Sequence, residues 1–216
     1  MSRPRILMAD DHSMVLAGLR KLVETEGEVV GTVENGRDLV EEAKKLRPDI
    51  ILLDISLPLL NGLDAARQIR KLVPECKLIF LTMHATPTYA MEAFKAGASG
   101  YLIKRSAPSE LNQAIRAVVR GQHYLTPLIT KDVLAATLQQ SSNANNPKRP
   151  PATLTSRQRE VLQLIAEGKG TKEIASILKI AVKTVEFHKF RIMDELDLHS
   201  TAELTKHAIA EGLVEL

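Results

Sequence analysis

The sequence predicts an α/β domain built on a five-stranded, doubly wound parallel sheet, followed by an all-α domain of four helices. Three observations predict it. Short apolar runs alternate with amphipathic stretches as far as Arg120, a segment rich in proline, asparagine and serine lies at Ser141–Pro151, and only helical periodicity follows it. The 216 residues also exceed a typical domain of ~150 residues, which leaves room for both.

Arg5–Ala9, Val29–Val33, Ile50–Asp54, Leu78–Thr82 and Tyr101–Ile103 are short and apolar, several of them β-branched, and read as buried strands. Between them Met14–Glu26, Leu39–Leu46, Leu63–Leu72, Tyr89–Ala96 and Glu110–Arg120 carry apolar residues at helical spacing. Such alternation implies a parallel sheet covered on both faces, whose sites lie beyond the carboxyl ends of the strands. The linker SSNANNPKRPP holds three prolines, three asparagines and two serines. After it come helices at Thr155–Gly168, Thr171–Leu178, Val182–Leu196 and Thr201–Gly212. The expected organisation is therefore a first domain at 1–125, a partly helical linker at 126–153, and a second domain at 154–216.

Hydrophobic residues at 44% and charged residues at 25% match an ordinary globular chain. No apolar run approaches the ~18 to 20 residues that span a bilayer, and the opening MSRPRILMADDH turns acidic where a signal peptide would stay apolar. A cytoplasmic protein without membrane attachment is expected. The lone cysteine, Cys76, can form no internal disulfide and reads as a small semi-buried hydrophobe. Net charge is only +3, yet Lys148–Arg191 holds ten basic against four acidic residues, a local excess of six that would attract a polyanion.

Strand ends carry the first chemistry. Asp10 and Asp11 follow the first strand, Asp54 ends the third, Thr82 closes the fourth and Lys104 follows the fifth. In a doubly wound sheet these positions converge on one rim. Carboxylates gathered there repel one another unless a divalent cation neutralises them, and all-oxygen ligands favour Mg²⁺. With Lys104 as a fixed positive charge and Thr82 as a hydroxyl donor, metal and cation together suit phosphoryl transfer.

Through ADDH, LLDISLPLLNGLD, FLTMHA and AGASGYLIK, residues 3 to 121 resemble the flavodoxin-like receiver domains of two-component response regulators. The resemblance implies that Asp54 accepts a phosphoryl group from a sensor histidine kinase. It implies Mg²⁺ held by Asp11, Asp54 and the Ser56 carbonyl, with Asp10 supporting the metal through water. Thr82 and Lys104 would bind phosphoryl oxygens, and Tyr101 occupies the switch position, swinging inward as Thr82 moves. Such a protein catalyses only its own phosphorylation and dephosphorylation. Pro58 and Gly62 shape the loop after Asp54, where glycine would permit a positive φ. Pro87, ahead of the fourth helix, would stiffen its start.

The segment LTSRQREVLQLIAEGKGTKEIASILKIAVKTVEFHKFRIMDEL is similar to the LuxR-type helix-turn-helix domain, so the whole chain resembles the NarL/FixJ subfamily. Thr155 and Gln158 make a capping box ahead of a core stripe of Val161, Leu162, Ile165 and Ala166. The helix Thr171–Leu178 and the helix Val182–Leu196, joined by a tight turn, form the helix-turn-helix pair. Val185, Ile192 and Leu196 share one face of the second helix, which leaves Lys183, Phe187, Phe190 and Asp194 opposite, for the major groove of promoter DNA. Lys172, Lys183, Thr184, Lys189 and Arg191 suit phosphate contacts; Glu186, Phe187 and Phe190 suit base edges, since Glu accepts from cytosine and Phe packs on a thymine methyl. His188 suits either phosphate contact or helix packing. Lys183, Lys189 and Arg191 are cancelled by Glu186, Asp194 and Glu195, so one module should bind weakly and a homodimer formed on phosphorylation would compensate. Two other readings fit parts of the sequence. One is a phosphatase with an aspartyl-phosphate intermediate, which lacks a second Asp because Ser56 stands two residues after Asp54; the other is an adaptor whose C-terminal helices bind protein.

Overall fold

The computed structural model describes residues 3–143 and 154–214. These divide into two compact units, the first holding the sheet and its helices and the second the C-terminal helices. In the first, β1 (Arg5–Ala9), α1 (Ser13–Val23), β2 (Glu28–Val33), α2 (Gly36–Leu46), β3 (Ile50–Leu53), α3 (Gly62–Leu72), β4 (Lys77–Thr82), α4 (Pro87–Lys95), β5 (Ala98–Ile103) and α5 (Ala107–Val119) alternate as expected. A further strand, β6 (Tyr124–Leu125), and a long helix, α6 (Pro127–Asn143), complete it.

The sheet is wholly parallel, in the order β2-β1-β3-β4-β5-β6. It has six strands where the sequence predicts five, because β6 is only two residues long and carries no periodicity. Its pairing with Gly100 and Tyr101 is extended by Thr126, whose N–H donates to the Tyr101 carbonyl at 2.9 Å and whose Oγ1 accepts the Ile103 N–H at 3.2 Å. β5 also starts earlier than its apolar run suggests, since the small residues Ala98–Gly100 hide the strand from hydropathy.

Burial on both faces explains the near-continuous apolar strands. On one face Ile6, Met8, Ile50, Leu52, Ile79, Leu81 and Leu102 pack against Leu16, Leu19 and Val23 of α1 and Leu111, Ile115 and Val118 of α5. Each large aliphatic side chain so buried contributes about 1.5 to 3 kcal/mol. Residues 127–143, within the stretch expected to be a partly helical linker, form α6, which belongs to the first unit and packs on α4 with Ile129 buried. Residues 144–153 of that expected linker lie outside the described residues.

The second unit contains α7 (Ser156–Ala166), α8 (Thr171–Leu178), α9 (Val182–Leu196) and α10 (Thr201–Ala210). Thr155 and Gln158 close the expected capping box on α7. Lys179 leaves α8 in the left-handed conformation (φ 53°), and the Ile180 N–H returns to the Ala175 carbonyl at 3.0 Å. That closure turns the chain directly into α9. Val161, Leu162, Leu164, Ile174, Leu178, Val185, Ile192, Leu204 and Ala208 form the core, and Ala166 is only partly buried. Among the described residues no helix is long and apolar enough to cross a membrane.

Candidate functional site

β1, β3, β4 and β5 are neighbours in the sheet, so residues at their carboxyl ends share one rim. Asp10 and Asp54 are buried there, and the Lys104 Nζ lies 2.7 Å from Asp10 Oδ2 and 2.6 Å from Asp54 Oδ2. The second Asp54 oxygen accepts the Ile55 N–H at 2.6 Å. Burial by itself would lower the Lys104 pKa, but the Asp54 and Asp10 carboxylates outweigh it and hold the ammonium above its ordinary value. A fixed cation thus stands against two buried carboxylates.

Asp11 lies nearer the surface, its carboxylate 2.8 Å from His12 Nδ1, while the His12 N–H donates to Asp10 Oδ1 at 3.0 Å. Ligand atoms of Asp10, Asp11 and His12 lie within 4.8 Å of one another. This oxygen-rich set, with Asp54 and the Ser56 carbonyl on the same rim, fits a hard divalent cation. His12 escaped the sequence reading, although its place directly after the aspartate pair was its signal.

Three expected residues meet through another histidine that the sequence reading passed over. The His84 N–H donates to Thr82 Oγ1 at 3.3 Å, the His84 carbonyl accepts the Tyr101 hydroxyl at 2.8 Å, and its Nε2 lies 3.2 Å from Ser56 Oγ. Its ring stacks on Tyr89 of α4, centroids 4.0 Å apart. Tyr101 is fully buried; burial first, then the Asp54 charge, raises its phenol pKa. The ring therefore already occupies the inward position.

The loop after Asp54 corrects one expectation. Gly62 does not take a positive φ; Leu59 does, at 64°. What demands glycine at 62 is space, because a Cβ there would stand 1.9 Å from the Asp54 carbonyl oxygen. Pro87, expected ahead of the fourth helix, is instead the first residue of α4.

In the second unit α9 buries Val185 and Ile192 and exposes Lys183, Glu186, Phe187, Phe190, Arg191 and Asp194. Phe187 is 58% and Phe190 68% exposed, large values for aromatic side chains on a helix. Lys172 of α8 is exposed, and Thr184 is half-buried. Lys189 is held differently from its neighbours, its Nζ donating to Thr201 Oγ1 of α10 at 2.9 Å. His188 is partly buried with its ring edge-on to Phe187, and burial followed by the Arg157 charge lowers its pKa.

The chain matches the response regulator receiver domain over residues 6–116 and the LuxR family of bacterial regulatory proteins over residues 152–208. It is 34% identical over 215 residues to the oxygen regulatory protein NreC of Staphylococcus carnosus, covering 98% of this chain and 99% of that one. Response regulator UvrY of Escherichia coli is 34% identical over 210 residues, covering 96% and 94%. Among solved structures, Salmonella typhimurium RcsB superposes with a TM-score of 0.64 at 26% identity, covering 97% of this chain and 98% of that one. An RcsB–DNA complex gives 0.59 at 26% identity, covering 95% and 97%. Receiver rim, helix-turn-helix pair and full-length relatives agree: the chain belongs to the two-component response regulators of the NarL/FixJ type, transcription regulators rather than classical enzymes.

Proposed function

We propose that this chain works in the cytoplasm, where Asp54 takes a phosphoryl group from the phosphohistidine of a sensor histidine kinase and the phosphorylated chain binds promoter DNA through α9. The observation that carries this is the Lys104 ammonium set against the buried carboxylates of Asp10 and Asp54. An Asp54 carboxylate oxygen attacks phosphorus, the donor's P–N bond breaks, and the imidazole leaves with the electron pair. Lys104 and the Thr82 hydroxyl then face the new phosphoryl oxygens. Asp10, Asp11, Asp54 and the Ser56 carbonyl would hold Mg²⁺, which supplies positive charge to the phosphoryl oxygens when bound. The same residues let the chain phosphorylate itself from a small donor and later hydrolyse the product.

Phosphorylation adds about −1.5 to −2 charge at the rim. The Thr82 hydroxyl turns toward it and gives up the His84 N–H, so the loop that carries the Tyr101 and Tyr89 contacts shifts with it. In the second unit Lys172, Lys183, Thr184, Lys189 and Arg191 place the protein on phosphates, and Glu186, Phe187 and Phe190 meet base edges. His188 is assigned to helix packing, on its partial burial. Phosphorylated chains pair as homodimers on two half-sites, which offsets the neutral charge of α9. A DNA titration of the full chain at fixed salt, with and without acetyl phosphate, tests this reading. Tighter specific binding and a sedimentation shift to dimer are expected with the donor; identical binding and identical monomer fractions in both states contradict it.

A further inference from the structure

At the amino-terminal end of the sheet, on the rim opposite Asp54, the first unit holds a cavity of about 250 Å³ with no carboxylate in its lining. Arg70, Lys77 and His123 line it beside Ser99, Gln122 and Phe94. Two cationic side chains, Arg70 and Lys77, lining one recess focus a positive potential there.

The cationic groups are set in place by other parts of the fold. Arg70 lies along Gly97, where a Cβ would come within 3.1 Å of its Cδ. Gly97 also holds φ at +99°, which disfavours any other residue. The Arg70 Nη1 donates to the Pro74 carbonyl at 2.6 Å, so the guanidinium is fixed before a ligand arrives. Lys77 makes no ion pair or side-chain hydrogen bond among the described residues. It also borders a second recess shared with Asp49 and Glu75, where Asp49 Oδ2 accepts the Arg5 N–H at 2.7 Å. The His123 ring meets Phe94 edge-on, centroids 6.0 Å apart, giving the recess an aromatic wall next to its charges.

We infer that this recess binds a small organic phosphate, its phosphate held by Arg70 and Lys77 and its apolar body laid on Phe94. Arginine offers a planar fork matched to phosphate oxygens and lysine a point charge. The chemistry differs from the phosphoryl site, where buried carboxylates repel a free phosphate.

Phenyl phosphate and inorganic phosphate, titrated into the full chain without divalent metal, test this by amide NMR. Saturable shifts at Gly97, Ser99, Gln122 and His123 are expected, with phenyl phosphate the tighter ligand. Arg70→Gln and Lys77→Gln should each weaken it by roughly tenfold, the effect of one charge-assisted hydrogen bond. Lys21→Gln, at an exposed position of α1, should leave it unchanged, and unaltered amide dispersion in each variant shows that the fold is intact. Shifts that do not saturate, shifts confined to residues 154–214, or equal affinity in folded Arg70→Gln would overturn the assignment.

Discussion

The carboxylate rim and the outer face of α9 solve opposite problems. At the rim, Asp10, Asp54, Thr82 and Tyr101 are buried and each is held by a named partner, so the geometry permits little variation. On α9 only Val185 and Ile192 are buried, while Phe187 and Phe190 project more than half exposed. A site that must perform one reaction is fixed by its surroundings on every side. The outer face of α9, which we propose reads DNA sequence, is anchored from beneath by Val185 and Ile192 and left free above.

The largest effect that sharpens this contrast is expected at Gly62. A Cβ in contact with the Asp54 carbonyl forces backbone to move, and Gly62→Ala should cost more than about 3 kcal/mol, the upper end of ordinary overpacking. Urea unfolding measures it, and a loss below about 1 kcal/mol would show that the loop is not fixed as described. The outer face should behave in the opposite way. Phe187→Ala and Phe190→Ala should leave unfolding midpoints unchanged yet each lose about 1 to 3 kcal/mol of preference at particular base pairs. Equal losses on specific and random DNA would break the assignment to base readout. The smallest effect belongs to Lys189→Ala, which should weaken all DNA sequences alike and reduce the salt slope by roughly one. An unchanged slope would mean that the tie to Thr201, not phosphate contact, is the function of this lysine.

Legibility in the sequence followed the same division. Buried strands announced themselves as apolar runs, and their ends delivered Asp10, Asp54, Thr82 and Lys104 to one rim because parallel topology leaves few alternatives. β6 did not, since two residues carry no period and their strand is defined by a long-range pairing with β5. His84 was hidden for another reason: a lone histidine has no signature in sequence, and only the folded chain shows it touching Ser56, Thr82, Tyr101 and Tyr89. Gly62 was recognised as necessary, but the reason is close approach, which no local pattern reveals. α6 was partly obscured because the Ser–Asn–Pro-rich segment begins inside it, at Ser141.

The central claim is that Asp54, held between Lys104 and the Ile55 N–H, is the phosphoryl acceptor. Intact-mass measurement after incubation with Mg²⁺ and acetyl phosphate tests it most directly. Wild type should gain one phosphoryl group and Asp54→Asn none, whereas phosphoryl incorporation that persists in a folded Asp54→Asn chain would contradict it.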